Sequence, residues 1–313
     1  MSSNFNLFFN YTSMKQYFLI LFILLFSDKI FAQSPQTYIN SSGDKHLAGK
    51  FDLNILRTDT TYRNWFEQNM KAFQLSRKNT EWKKNLVNTE VEIYLGTWCG
   101  DSKRWVPQFV RLWNELGLDE NQLKFTALYD GEEKYKQGPN GEEKGLLIHR
   151  VPTFIFKKED TEYARLVESP VNDLETDLAQ IALGFSSEPN YRAATYLLEL
   201  FEAESLDSIY KNVQTHFSEV YQRVGKEREL NTLGYVFQYS DRMPEALLTF
   251  EINSVIFPYS PRVLNSYAEA LVKNDQKDRA IELFRRAVEL EPTLESAVNQ
   301  LKELEKEKPE NKD

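Results

Sequence analysis

Residues 91–105 read VEIYLGTWCGDSKRW and contain the chain's single cysteine, Cys99. Positions 91–95 are apolar, β-branched or aromatic apart from one glutamate, which suits a short buried strand. After Cys99 the period changes. Trp105, Phe109, Leu112, Trp113 and Leu116 fall on one face of a helix, and Gly117 ends it. Cys99 therefore stands between a strand and a helix. There, unpaired backbone N–H groups and the positive end of the helix dipole favour a thiolate. Lys103 and Arg104 add positive potential, and Asp101 opposes it. Ser102 sits one turn in, placed to donate to the sulfur or to serve ordinary helix-start chemistry.

Working outward, 123–129 reads as a second strand. The segments VPTFIF (151–156) and YARLVE (163–168) read as an antiparallel pair across a charged turn. Pro170 precedes a helix with Leu174, Leu178, Ile181 and Ala182 on one side. Upstream, Tyr62, Phe66 and Met70 have helical spacing. The loop from 130 to 150 contains GEEK twice, starting at Gly131 and Gly141, and reads as a solvated insertion. His149, at its end, reads as a loop histidine facing water, with a base approaching Cys99 as the alternative.

These residues resemble the thioredoxin fold. Trp98, Cys99 and Gly100 match the start of its W-C-G-x-C motif. Lys103 follows the place of the second cysteine, Pro107 falls where that family kinks its active-site helix, and Val151-Pro152-Thr153 resembles its cis-proline element. The likeness covers roughly residues 50–187 and is nearest to exported bacterial members with a W-C-G-D-[CS] motif. It implies an α/β fold with a mixed sheet flanked by helices. It also implies catalytic roles for Cys99 and Ser102, with Trp98, Gly100, Asp101, Val151 and Pro152 contacting substrate. Four departures stand out: the loop before the cis-proline element is longer than usual, and three more are local. Ser102 replaces the resolving cysteine, Ile93 stands where a buried acid is frequent, and Glu168-Ser169 stands near the usual place of a glycine.

Strand patterning stops after residue 187. Ala246, Phe250 and Pro258 recur thirty-four positions later as Ala280, Phe284 and Pro292. The first copy has Leu233-Gly234 before Phe237; the second has Tyr267-Ala268 before Leu271 and adds Ala287. Residues 188–313 thus resemble an all-α tetratricopeptide-repeat domain, with repeats at about 227–260 and 261–294 and a charged capping helix after them. Such repeats imply a protein partner.

The 313 residues carry a net charge of −9, which argues against nucleic acid as a partner. One cysteine excludes an internal disulfide. Three separated histidines form no ligand pattern, so neither metal nor cofactor is expected. Residues 17–26, YFLILFILLF, suit the apolar core of a signal peptide and are too short to span a bilayer. Cleavage after Ala32 would leave no membrane anchor, and Met14-Lys15 offers a second start. Residues 33–49 read as a flexible lead-in. The expected location is periplasmic or extracellular, where a lone cysteine suggests a reactive thiol or an intermolecular partner.

Two functional classes follow. One is a monothiol protein acting on disulfides or mixed disulfides, with a disulfide-bearing protein or a low-molecular-weight thiol meeting it at Cys99 and another protein binding the repeats. The other is a non-catalytic adaptor that keeps the fold without redox turnover.

Overall fold

The computed structural model describes residues 36–76, 79–131 and 133–307. The expected leader over 1–32 lies outside the described residues. Among the described residues, no helix is long and apolar enough to cross a membrane.

Strands β1 (Gln36–Ile39), β2 (Lys45–Phe51), β3 (Glu90–Leu95), β4 (Leu123–Ala127), β5 (Thr153–Lys158) and β6 (Thr161–Val167) form one mixed sheet in the order β1-β2-β4-β3-β5-β6. The β3–β4 pair is parallel and every other pair antiparallel. Side chains of a strand alternate between faces, so β3 serves two cores. Val91, Ile93 and Leu95 join the larger core with Phe109, Val110 and Trp113. Tyr94 joins a smaller cluster on the other face with Leu128, Ile148, Val151 and Ile155.

The larger core is closed by helices α1 (Asn54–Thr58), α2 (Thr60–Ala72), α3 (Gly100–Glu115) and α4 (Leu174–Leu183). Of the apolar face expected on α3, Phe109, Leu112, Trp113 and Leu116 are buried and Trp105 is half-buried, with Val106 and Val110 buried beside them. Full burial of a side chain such as Phe109 stabilises by roughly 1.5–3 kcal/mol. Pro107 lies inside α3, where it lacks the N–H that would reach the Lys103 carbonyl.

Two expectations need correction. Residues 36–51 form a hairpin, not a flexible lead-in. Its turn is built by the Asn40 side chain, whose Oδ1 accepts from the N–H groups of Ser42 and Asp44, with Gly43 at φ 87°. Leu47, Ala48 and Phe51 then anchor it by burial. The 130–150 loop is not simply solvated either. Gly131, Glu133 and Lys134 face water, but Lys136, Ile148, His149 and Arg150 are buried. The loop covers the small cluster of the sheet, and Leu147 packs into the core of the C-terminal helices. Among the loop's many charges, the apolar run Leu146, Leu147 and Ile148 supplies the residues that pack inward.

The rest is helical: α5 (Arg192–Ala203), α6 (Leu206–Lys211), α7 (Val213–Arg223), α8 (Glu227–Gln238), α9 (Met243–Ile256), α10 (Pro261–Lys273), α11 (Lys277–Leu290) and α12 (Glu295–Glu307). α8 packs on α9 and α10 on α11, one pair per copy of the sequence repeat, and α12 covers α11. Phe250 and Phe284, thirty-four positions apart, are both fully buried. Gly234 sits so close to Phe250 that a Cβ there would lie 2.6 Å from the ring.

Candidate functional site

The turn between β3 and α3 is fixed residue by residue. A Cβ on Gly96 would meet the Trp98 indole at 2.4 Å, so only glycine lets that ring fold back. Trp98 Nε1 donates to Leu128 O at 2.8 Å, which seats the indole over β4. Leu47 N donates to Thr97 Oγ1 at 3.1 Å, tying the turn to the hairpin. Cys99 N donates to Gly96 O at 2.9 Å, and Cys99 is the N-cap residue of α3. The thiol is half-buried and donates to Val151 O at 3.2 Å.

The loop that receives the thiol is equally constrained. Thr153 Oγ1 donates to Arg150 O at 2.7 Å, and Glu168 N donates to Pro152 O at 2.7 Å. The Val151–Pro152 peptide bond is cis. The structure therefore brings Trp98, Cys99, Gly100, Asp101, Val151 and Pro152 into one neighbourhood. Gly100 is exposed and Asp101 half-buried, whereas the Val151 and Pro152 side chains are buried. What that loop offers near the thiol is therefore backbone.

Ser102 differs from its expected use. It is fully buried, and its Oγ accepts from Gly96 N at 3.1 Å. That bond satisfies a buried donor at the end of β3 and makes Ser102 a brace for the turn. His149 also departs from expectation. It is 2% exposed, stacks edge-on against Tyr191, and leaves Nε2 without a partner. Burial, with the cations of Arg150 and Lys136 nearby, pushes its pKa down to about 3, so the ring is neutral.

Beside this turn lie two polar groups that the sequence did not mark. In the first, His46 touches Thr97 Oγ1 through Nδ1 (3.3 Å) and Asn40 Nδ2 through Nε2 (3.2 Å). Asn40 and Tyr38 in turn donate to Asp130 at 3.1 and 2.9 Å. Burial lowers the His46 pKa, with Lys103 adding to the effect against Asp130.

The second group is buried between the sheet and the helices. Arg150, 5% exposed, pairs with Glu168 at 3.2 Å, donates to Arg228 O at 2.7 Å and lies over the Tyr191 ring. Tyr191 donates to the other Glu168 oxygen. Glu168 adopts φ 63°, left-handed backbone that glycine enters more easily. Its unusual residue type at that position was the one visible hint of this clamp. Lys136, 4% exposed, donates to His149 O at 2.9 Å and sits 4.3 Å from the Tyr135 ring centroid. Nothing local in the sequence distinguishes Lys136 from its solvated neighbours. Among the described residues, no group of three or more His, Cys, Asp or Glu side chains gathers to hold a metal ion.

Comparison with protein families, with curated proteins and with solved structures finds no match to this chain.

Proposed function

We propose that this chain is an exported, thioredoxin-like protein that acts on disulfides or mixed disulfides through Cys99 alone, with tetratricopeptide-like helices that bind a protein partner. The observation that carries this reading is the half-buried Cys99 thiol at the start of α3, 3.2 Å from the Val151 carbonyl. An extended substrate lying against the 150–153 loop would meet backbone groups and bring its disulfide to the sulfur.

The chemistry balances without a second cysteine. The Cys99 thiolate attacks one sulfur of a substrate disulfide. That S–S bond breaks, a new one forms to Cys99, and the other substrate sulfur leaves as a thiolate that takes up a proton. A second thiol, free or on a partner protein, then attacks the substrate sulfur of the mixed disulfide as its thiolate, forming a new disulfide with it and releasing Cys99 as a thiolate. Ser102 has no part in the electron flow; it holds the turn.

The adaptor reading is favoured by a different observation. Arg150, next to Val151, is tied to Arg228 of α8, so the C-terminal helices hold the very loop that a substrate would approach. Mass spectrometry after incubation with a disulfide peptide separates the two. A Cys99-linked adduct, absent in Cys99→Ala and released by glutathione, supports the redox protein; no adduct supports the adaptor.

A further inference from the structure

We propose that the substrate of Cys99 is an extended polypeptide whose residues beside the reacting cysteine run across Trp98, Tyr135 and Tyr239 onto the C-terminal helices. The disulfide-bearing chain and the partner of those helices are then one molecule. This rests on the redox reading of Cys99 above and names its substrate class.

An aromatic row leads away from the thiol. Trp98 precedes Cys99, and its indole is seated by the bond to Leu128 O. The Tyr135 ring lies 6.1 Å from it, the Tyr239 ring 6.4 Å from Tyr135, and the Tyr235 ring 6.0 Å from Tyr239 and stacked on it. Within this set ring contacts join only successive members, so the four form a row and not a cluster. Each of the four residues is half-buried, so each keeps part of its surface open. The row crosses from the loop of the sheet to α8 without a break. Gln137 Nε2 donates to Tyr239 O, and the Tyr235 hydroxyl donates to Ser266 Oγ and Glu269 Oε2 on α10 at 2.9 Å each.

The spacing fits one kind of occupant. Side chains on one side of an extended chain recur every second residue, about 6.6 Å apart. The ring-to-ring steps match that repeat. With the substrate cysteine at Cys99, beside Trp98, the second residue along falls at Tyr135 and the fourth at Tyr239. A bulky apolar side chain suits Tyr135, an aromatic surface flanked by a second ring.

The fourth place suits a carboxylate. Lys273, exposed at the end of α10, holds Nζ 4.4 Å from the Tyr239 ring centroid and 3.3 Å from its hydroxyl. Among the described residues no carboxylate pairs with it. Glu269, one turn earlier on α10, is taken by Tyr235 and Asn265. A substrate carboxylate supplies the missing partner. A disulfide that lacks such a segment leaves Tyr239 and Lys273 unused.

The test measures the rate of Cys99 adduct formation by the full chain with disulfide dimers of the peptide Glu-Gly-Leu-Gly-Cys-Gly-Leu-Gly-Glu, whose symmetry makes chain direction irrelevant. Changing both leucines to glycine should slow the reaction about tenfold. Changing both glutamates to lysine should slow it about fivefold. Lys273→Glu should reverse the preference for glutamate over lysine, and Tyr135→Ala should erase the preference for leucine. Lys211→Glu, the same charge change at an exposed position of α6, should keep both preferences. Wild type that reacts equally with all three peptides, or Lys273→Glu that keeps the wild-type preference, overturns the proposal and leaves the row as packing between loop and helices. If Tyr135→Ala fails to fold, the Lys273→Glu result decides alone. Failure of the underlying redox reading looks different: no disulfide peptide forms an adduct, while versions with serine in place of cysteine still bind in the same order by fluorescence anisotropy.

Discussion

The Cys99 thiol donates to the carbonyl of Val151, fifty-two residues away along the chain, at 3.2 Å. That bond joins the two halves of the proposed site: the turn that opens α3 and the loop that opens β5. Neither half is held by the contact alone. Trp98, Thr97 and Ser102 fix the turn from three sides, and Thr153, Glu168 and Arg150 fix the loop. The thiol is therefore held at a prepared position.

Ser102 is predicted to matter for stability more than for chemistry. Ser102→Ala leaves the buried Gly96 N–H without its acceptor, which should lower unfolding free energy by about 1–3 kcal/mol. Adduct formation at Cys99 should persist in the folded fraction. Urea titration measures the first and mass spectrometry the second. A loss of adduct at unchanged stability would mean that the hydroxyl serves the sulfur after all.

The Arg150–Glu168 pair should behave as a buried ion pair. Glu168→Ala strands the guanidinium, at a cost of about 3–5 kcal/mol. The double variant Arg150→Met/Glu168→Ala should recover part of that loss, because it removes the stranded charge. Additive losses in a denaturation double-mutant cycle would contradict this.

His149 predicts how stability changes with pH. Its folded pKa lies near 3, against about 6.5 in an unfolded chain. Below pH 6.5 the unfolded chain gains a proton that the folded chain refuses, so stability is full above that pH and falls as pH drops toward 3. Between pH 7 and pH 5 the loss from this residue should be about 2 kcal/mol. His46, also lowered, acts in the same direction. His149→Asn should flatten this dependence in paired urea titrations at the two pH values; an equally steep fall in the variant would show that His149 titrates in water.

The elements around Cys99 were legible because two periods change over at one place. The strand residues alternate, and the helix residues recur every three or four. The paired helices were legible from Ala246, Phe250, Ala280 and Phe284, which packing requires to be small or aromatic in register. The hairpin at 36–51 was not, because its turn is held by an asparagine side chain and its only buried apolar side chains are Leu47, Ala48 and Phe51. The charged group was less legible still. Lys136, His149 and Arg150 lie in a loop rich in glutamate and lysine, and only tertiary packing decides which of those charges lose water. Glu168 had a partial signal, since a glutamate stands where left-handed backbone is needed.

The central claim is that Cys99 reacts as a single, unresolved thiol. Its most direct measurement is intact-mass analysis of wild-type protein held with a disulfide peptide, before and after glutathione. The account predicts one peptide-linked species that accumulates without turnover, disappears when glutathione is added, and never forms in Cys99→Ala. Wild-type protein that stays unmodified, with Cys99 alkylated no faster than free cysteine at pH 7, would contradict it.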